Sequence, residues 1–445
     1  MTTQELPRRV AELMDRARTD LAELVGFASV HLDSSKAAQS RASAEWVAAA
    51  FGELGVDCEI IETSDGSPAV VGHRPGPEGA KTVALYCHHD VQPAGDESLW
   101  ASPPFELTER GGRWYGRGSA DCKGNLIAHL TALRAVGDEL ACALRIIVEG
   151  SEEAGGEGLD DLVRRRPELF DADLILIGDT GNVEVGTPTL TTSLRGVVNV
   201  KVTVRALATA VHSGQFGGAA PDALAALIAL LATLRDEHGD TTVDGLPADG
   251  IWSGAAYPPE VFRADSGALD GTDLLGSGPP ADSVWARPAV TVIGLDAPRT
   301  DECAAAIVPE ASAMLNLRIP PGTDPQQAYD ALAAHLHAHV PWHCELTVGD
   351  DAKGAPFAAR TDGPGYAALT TALTEAYDGA QVVQSGQGGS IPLCTVLAET
   401  VPHAEIALLG VEEPQCRIHA PNESVDPTEI RRTALAEALL LTRFR

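Results

Sequence analysis

The alternation of strand-like and helix-like segments constrains the fold more than any other feature of the sequence. Apolar, β-branched runs alternate with helical runs up to about residue 193, and the same rhythm returns from about residue 354. Strands that alternate with helices form α/β domains with a largely parallel sheet. Between these two parts, the order of elements changes to β-α-β-β-α-β, which is typical of a ferredoxin-like arrangement. The sequence therefore predicts one α/β domain that is interrupted by a small α+β domain.

We place the boundaries of the split α/β domain at residues 1–193 and 353–445, with the inserted domain at 194–352. Residues 236–289, rich in glycine, proline and aspartate, are too long for an ordinary connection. We interpret them as a lid-like insertion or a loosely ordered excursion. In the α/β domain the apolar spacing predicts helices over 7–24 and 42–54, and a strand over 381–383.

Charge and cysteine content limit the class of protein. The net charge of −31, from 32 basic and 63 acidic residues, argues against nucleic acid or an anionic membrane as a partner. The eight cysteines include no C-x-x-C pair, as expected for reduced thiols in the cytoplasm. The N-terminus lacks the apolar core of a signal peptide, and no run approaches the ~20 apolar residues of a membrane span. We expect a soluble cytoplasmic protein.

The strand predicted over 82–86 leads into two histidines and an aspartate. Side chains alternate along extended backbone, so His88 and Asp90 point to one side and His89 to the other. An imidazole with a carboxylate beside it is a metal ligand whose tautomer is already fixed. A single histidine at a strand end is nevertheless more often structural, so the remaining chain must supply the other ligands.

Further acidic residues and a histidine follow other predicted elements. Open α/β sheets bind ligands at the carboxyl ends of their strands, and two histidines with several carboxylates suit one or two zinc-like ions. Each aspartate has an ordinary alternative, Asp121 as a helix N-cap and Asp179 as a turn residue. The adjacent Glu152 and Glu153 favour a metal more strongly, because neighbouring carboxylates repel unless a cation or proton intervenes. The full set is Asp121, Glu152, Glu153, Asp179 and His419.

On its motifs, the chain resembles the zinc-dependent aminoacylase/carnosinase-type metallopeptidases, and the dipeptidases among them in particular. The matching stretches keep the family's order and cover nearly the whole chain. They are 88–93, 116–125, 149–156, 193–196, 212–218, 317–320, 388–392 and 419–423. The resemblance implies a catalytic domain with a mixed, largely parallel sheet of the phosphorylase/hydrolase-like type, split by an inserted lid domain through which the family forms homodimers.

The resemblance also implies a role for each polar residue at the strand ends. His88 and Asp179 would hold one zinc ion, Glu153 and His419 a second, and Asp121 would bridge the two. Manganese or cobalt could replace zinc. Glu152 would be the general base that activates water for hydrolysis of a small peptide, and Asp90 would orient His88.

Four residues of the substrate site are implied in the same way. His212 would meet the developing oxyanion, in this family usually across the dimer interface. Arg318 would pair with the free carboxylate of the substrate. Gly389 and Ser390 would belong to the substrate-binding loop.

Two positions depart from the dipeptidase pattern, and both concern substrate identity. The loop before Gly388 often carries Arg-Glu in the family but is Gly386-Gln387 here, and the aspartate often found two residues before the lid histidine is Ala210. A deacylase or carboxypeptidase acting on N-acyl or N-carbamoyl amino acids is the same-fold alternative. A catalytically inactive binding protein is the alternative from another class. Side-chain preference stays open.

One histidine tract is not assigned to a site. His335, His337 and His339 fall in a predicted helix, where only His335 and His339 share a face. We interpret the tract as a solvated helix face.

Overall fold

A computed structural model describes residues 5–31 and 33–445. Residues 1–4, at the terminus for which no signal peptide is expected, lie outside the described part. The chain forms two compact units, of which the first comprises Met1–Thr192, Ala359–Ser385 and Pro392–Arg445 and the second Ser193–Ala358 and Gly386–Ile391. The domain boundaries given above remain predictions. Over the described residues, no helix is both long and apolar enough to cross a membrane.

The described residues contain twelve α-helices. In chain order they are α1 (Glu5–Glu12), α2 (Met14–Gly26), α3 (Ala37–Gly52), α4 (Lys123–Val136), α5 (Glu157–Arg165), α6 (Ser213–Phe216), α7 (Ala223–Ala232), α8 (Pro259–Ser266), α9 (Pro325–His339), α10 (Pro364–Ala376), α11 (Pro392–Thr400) and α12 (Pro427–Leu441).

The same part of the chain contains nineteen strands. They are β1 (Asp57–Glu62), β2 (Pro68–Arg74), β3 (Thr82–His88), β4 (Thr108–Arg110), β5 (Arg113–Tyr115), β6 (Ala143–Glu149), β7 (Leu174–Gly178), β8 (Thr189–Leu194), β9 (Gly196–Arg205), β10 (Val211–His212), β11 (Ala289–Asp296), β12 (Ala306–Ile307), β13 (Glu310–Ile319), β14 (Glu345–Val348), β15 (Ala352–Gly354), β16 (Phe357–Ala358), β17 (Val383–Gln387), β18 (Glu405–Leu409) and β19 (Ser424–Val425).

The first unit is organised around a mixed sheet in the order β1-β2-β6-β3-β7-β18-β8. The central pairs β6–β3, β3–β7 and β7–β18 are parallel, whereas β1–β2, β2–β6 and β18–β8 are antiparallel. All residues of β7 and β18 are buried, as expected for parallel strands covered on both faces. Helices α4 and α12 contribute most of their length to the core of this unit.

The second unit contains an antiparallel sheet in the order β11-β13-β9-β14, with β15 also paired to β9. Every second residue of β9 is buried. The four valines among these buried residues share one core with the apolar faces of α7 and α9. Polar and apolar residues therefore alternate as expected for a sheet that is covered on one face. The predicted fold class is confirmed: a split α/β unit with a mixed, parallel-centred sheet and an inserted α+β unit.

Three element predictions were wrong in detail. The helix predicted over 7–24 is two helices, α1 and α2, and the Leu13 amide between them is shared by the carbonyls of Arg9 and Val10. Helix α3 begins at Ala37 instead of 42, in a segment of good helix formers. The strand predicted over 381–383 lies at Val383–Gln387, where polar residues give no apolar signal.

Candidate metal centre

The acidic residues predicted at strand ends meet at one edge of the sheet in the first unit. Strands β6, β3, β7 and β18 are neighbours and run parallel, so their carboxyl ends lie side by side. His88 is the last residue of β3, Glu152 and Glu153 follow β6, and Asp179 follows β7. The sheet thus assembles side chains that are as far apart in the chain as His88 and Asp179, 179 − 88 = 91 residues.

Asp121 lies between two histidines and contacts each of them with a different oxygen. Its Oδ1 is 2.9 Å from His88 Nε2, and its Oδ2 is 3.0 Å from His419 Nε2. Asp179 Oδ1 lies 3.3 Å from the same His88 nitrogen, and Glu153 Oε2 lies 3.1 Å from the same His419 nitrogen. We call His88, Asp179 and Asp121 Oδ1 the inner half, and His419, Glu153 and Asp121 Oδ2 the outer half.

The alternative role of Asp121 as a helix cap is wrong. Cys122 occupies the N-cap position of α4 and makes no side-chain capping bond, while the Asp121 carboxylate faces the two histidines. The loop that presents Asp121 is held by Glu423, a fully buried residue. Glu423 accepts hydrogen bonds from the amides of Gly118, Ala120 and Asp121 and pairs with the Arg117 guanidinium at 2.7 Å.

Asp90 connects both halves of the centre. Its Oδ1 lies 3.4 Å from His88 Nδ1, which also contacts the Asp90 carbonyl oxygen at 3.1 Å. The same carboxylate accepts hydrogen bonds from the backbone amides of Glu152 and Glu153, at 3.2 and 3.1 Å. His89 points the other way, with Nε2 at 2.8 Å from the Pro68 carbonyl oxygen. The alternation expected along the strand end is therefore observed.

The turn that carries His419 has an unusual backbone. His419 has φ of +61° and Asn422 φ of +64°, a left-handed conformation that few non-glycine residues adopt. The Asn422 side chain ties this turn to a distant loop, because it accepts from the Ala101 amide at 2.8 Å and donates to the Leu99 carbonyl at 2.9 Å. Strained backbone that the surrounding structure holds in place is common at functional sites.

The electrostatics of the cluster favour cations. Burial, followed by the charge of Asp179, raises the pKa of Glu152, whose Oε2 lies 4.0 Å from His88 Nε2. Burial also raises the pKa of Asp179 to about 6, although His88 opposes this shift. Hydrogen bonds that the His419 ring donates to the Asp121 and Glu153 carboxylates raise the pKa of His419 to about 10. Crowded, buried carboxylates with imidazoles between them are the donor set that suits divalent ions of the zinc type.

One carboxylate near the inner half was missed in the sequence. Glu412 lies beyond the end of β18 and groups with Asp121 and Asp179, with one donor oxygen of each within 4.8 Å of the others. Burial and then the charges of Asp121 and Asp179 raise its pKa, and Asn125 donates to it at 3.1 Å. Its position after a parallel strand was the available signal. Cys122 also groups with His88 and Asp179, but its thiol donates to the Gly178 carbonyl at 2.7 Å.

The four residues predicted to bind substrate all belong to the second unit. Arg318 is on β13 and donates from Nε to Asn316 Oδ1 at 3.2 Å. Gly389 and Ser390 lie in the loop between β17 and α11. His212 is exposed, and its Nδ1 accepts the Gly214 amide at 3.0 Å, so the neutral ring carries its proton on Nε2.

Arg195 is a second cation near Arg318 that was not singled out in the sequence. Its side chain is buried, its Nε has no hydrogen-bond partner among the described residues, and Nη1 contacts the Ser283 carbonyl at 3.4 Å. Burial and the nearby charge of Arg318 lower the pKa of Arg195 to about 10. Within the described part of the chain, neither Arg195 nor Arg318 forms an ion pair with a carboxylate, so the two guanidinium groups favour an anion.

The departure at Gly386 has a steric explanation. A Cβ atom at this position would lie 2.6 Å from Cγ of Trp285, so the indole occupies the space of a side chain. Trp285 in turn stacks on Tyr257 and packs edge-on against Trp252, with ring centroids 5.4 and 5.3 Å apart. An aromatic cluster of the insertion thus fills the space beside Gly386, where the family resemblance leads us to expect a charged side chain.

Comparison with known proteins agrees with this geometry. The model of peptidase family M20/M25/M40 matches residues 84–443, which include every residue of both halves. The chain belongs to this peptidase family. The resemblance seen in the sequence is thereby confirmed. Members of the M20 family include a protein from Bacillus subtilis described as a dinuclear metal-binding peptidase, and the present chain has candidate ligand groups for metal.

Relatives of this M20-family chain include named dipeptidases. A cysteinylglycine-S-conjugate dipeptidase of Corynebacterium striatum is 43% identical over 437 residues, covering 97% of this chain and 96% of the relative. The Cys-Gly metallodipeptidase dug1 of Schizosaccharomyces pombe is 32% identical over 292 residues, covering 60% and 61%. In fold, the crystal structure of human carnosine dipeptidase 1 matches with a TM-score of 0.81 at 23% identity, covering 99% and 98% of the two chains.

Proposed function

We propose that this protein is a metal-dependent dipeptidase that hydrolyses the peptide bond of dipeptides or short peptides. The observation that carries the proposal is Asp121, whose two oxygens each face a different histidine, with a further carboxylate on either side. The named activity of the Corynebacterium striatum relative, which matches nearly end to end, supports cysteinylglycine and its S-conjugates as the first substrates to test.

In this proposal the residues of the inner half and those of the outer half would each hold one zinc ion, and Asp121 would be a ligand of both. Manganese or cobalt would suit the same donors. Ions held there would supply Lewis-acid chemistry, which polarises a carbonyl and lowers the pKa of water. Glu152 accepts the proton of the attacking water and returns it to the leaving amine, a task for which a raised carboxyl pKa is suited. Asp90 positions both His88 and the Glu152–Glu153 turn.

The second unit would bind the substrate. Arg318, reinforced by Arg195, would pair with the free carboxylate, because a guanidinium binds a carboxylate through two parallel hydrogen bonds. His212 would donate from Nε2 to the developing oxyanion, with the Gly214 amide fixing its tautomer in place of an aspartate at position 210. Gly389 and Ser390 would contact the substrate backbone.

We also propose that the protein is a homodimer through the inserted domain at 194–352, the other boundaries being those given above. Strand β11 is at the edge of its sheet and exposes Val292, Ile293 and Leu295 by 45, 58 and 53%. Apolar edge strands are usually covered, because they otherwise promote aggregation. A mass near two chains by light scattering would support the dimer. The eight cysteines, none in a disulfide, support a cytoplasmic location.

The test is hydrolysis by the purified full-length protein, loaded with zinc or manganese. The panel comprises three dipeptides, cysteinylglycine, an S-substituted cysteinylglycine and alanylglycine. It also includes the N-acetyl derivatives of the amino acids that make up these dipeptides. We expect amine release from the dipeptides and little from the N-acetyl compounds. Preference for the N-acetyl compounds would favour the deacylase alternative, and no release from any compound by metal-loaded protein would contradict the enzyme itself.

A further inference from the structure

The second unit contains a cluster of two histidines and one aspartate that the proposed hydrolysis does not use. His335 and His339 are one turn apart on α9, and Asp244 lies beyond α7 at the start of the long insertion. Asp244 Oδ2 is 3.2 Å from His335 Nδ1 and 2.8 Å from His339 Nε2. His335 is only 3% exposed, so its interpretation as part of a solvated helix face was wrong.

The hydrogen bonds of Thr233 fix the tautomer of His335. The Thr233 hydroxyl donates to the Leu230 carbonyl at 2.7 Å, so its oxygen accepts from His335 Nε2 at 2.9 Å. The ring is therefore protonated on Nε2 and has its lone pair on Nδ1, the nitrogen that faces Asp244. Nearly all metal-binding histidines are oriented by such a hydrogen bond from the ring nitrogen that does not bind the metal. The lone pair accepts the Asp244 amide at 3.1 Å, an interaction that an ion would replace.

The spacing of the three donor atoms suits a small ion. Tetrahedral bonds of ~2.1 Å place neighbouring donors about 3.4 Å apart. The observed separations from Asp244 Oδ2 are 3.2 and 2.8 Å, and all three donors lie within 4.8 Å of one another. The two rings stand face to face, with centroids 4.2 Å apart and planes tilted by 31°, so a modest widening admits an ion.

We propose that Asp244, His335 and His339 bind one borderline divalent cation, of the class of Zn²⁺ or Co²⁺, at a site separate from the centre in the first unit. Two imidazoles and a carboxylate are a common ligand set for such ions, with water completing the shell. The partly exposed His339 and Asp244, at 40 and 69% of their side chains, give the ion access from solvent. The bound ion would tie the start of the insertion to α9.

The experiment counts bound zinc in the full-length protein after equilibrium dialysis at micromolar free Zn²⁺. The wild-type protein is compared with His339→Ala and Asp244→Asn, whose exposed positions tolerate substitution. His337→Ala is the matched control, because His337 is an exposed histidine on the same helix outside the cluster. We expect one zinc ion fewer in His339→Ala and Asp244→Asn than in the wild type and His337→Ala, with dipeptidase activity unchanged.

Two outcomes would overturn this site. One is an equal zinc count in the wild type and both cluster variants, and the other is an equal loss in the His337→Ala control. Cobalt provides a second readout, since a tetrahedral Co²⁺ absorption band should be weaker by one site in the two cluster variants. Activity assayed on the same samples keeps this result separate from the proposed hydrolysis, which does not depend on the cluster.

Discussion

The inner and outer halves of the candidate metal centre share Asp121 but differ in how firmly the protein holds their ligands. In the inner half, His88 ends a buried strand and is fully buried, and the Asp179 side chain is only 8% exposed. In the outer half, the His419 side chain is 52% exposed and stands on a turn with left-handed backbone. The inner half is built by the sheet, whereas the outer half depends on a loop.

The half that depends on a loop should exchange its ion more readily. Ligands on rigid elements lose little conformational freedom when an ion binds, while a loop ligand must be ordered at each binding event. Asp90 contacts the His88 ring and also accepts the Glu153 amide, and Glu423 accepts the amide of the shared Asp121. The outer half has Gln92, which donates to Glu153 Oε2 at 2.9 Å, and Asn422. We therefore expect the outer ion to bind more weakly.

The largest effect should be the difference between two single variants, one that removes the histidine of the inner half and one that removes the histidine of the outer half. His88→Ala leaves buried carboxylates without their partner, so we expect loss of both ions and of roughly 3–5 kcal/mol in the free energy of unfolding. His419→Ala should lose only the outer ion and about 1 kcal/mol or less, because its side chain is half exposed. Metal analysis and denaturant unfolding measure these effects.

A control for this pair is His403→Ala, which removes a histidine that is 59% exposed in the same unit. It should keep both ions and native stability. If His419→Ala loses both ions while His88→Ala keeps one, the outer half binds its ion more tightly than the inner half, which contradicts the expected order of affinities.

The next effect tests a residue that belongs to neither half. Glu152→Gln keeps the shape of the side chain but removes the basic oxygen, so kcat should fall by ~10²–10⁴ while the metal content stays unchanged. Glu157→Gln, an exposed substitution of the same type five residues later, is the control. Loss of metal from Glu152→Gln would mean that Glu152 is a metal ligand and belongs to the inner half. Near-native turnover would contradict its role as base.

The sequence predicted the inner half better than its surroundings, for a physical reason. Alternation along a strand and the common edge of parallel strands are local rules, and they place His88, Asp90 and Asp179 without knowledge of distant contacts. Glu412 was missed, although it also follows a parallel strand, because its approach to Asp121 and Asp179 joins parts of the chain that are distant in the sequence. The partner of His335 and His339 could not be predicted either, since Asp244 reaches α9 through an irregular connection.

The third effect concerns the residue that links the halves. In Asp90→Asn an amide NH₂ replaces one of the two carboxylate oxygens that, in the wild type, face His88 and the backbone amides. Metal affinity or kcat/KM should therefore fall about 10–100-fold. Both halves should weaken together, because Asp90 also accepts the amides of Glu152 and Glu153. Asp96→Asn, at an exposed position nearby, is the control. Weakening of the inner ion alone, in a zinc titration, would show that Asp90 serves His88 only.

The smallest effect should come from the anchor of the outer turn. Asn422→Ala removes three hydrogen bonds, to the Ala101 amide, the Leu99 carbonyl and the Arg110 guanidinium, each worth about 1 kcal/mol. It also places a residue without a polar side chain at φ of +64°. Asn422→Gly loses the same bonds but relieves the backbone. We expect the dissociation constant of the outer ion to rise about threefold to tenfold in Asn422→Ala and less in Asn422→Gly, with the inner ion unaffected in competitive chelator titrations. Both substitutions change only the turn that carries His419. If they weakened binding of the inner ion as much as that of the outer ion, Asp121 would transmit strain between the halves. The division into a rigid half and a loop-dependent half would then be wrong.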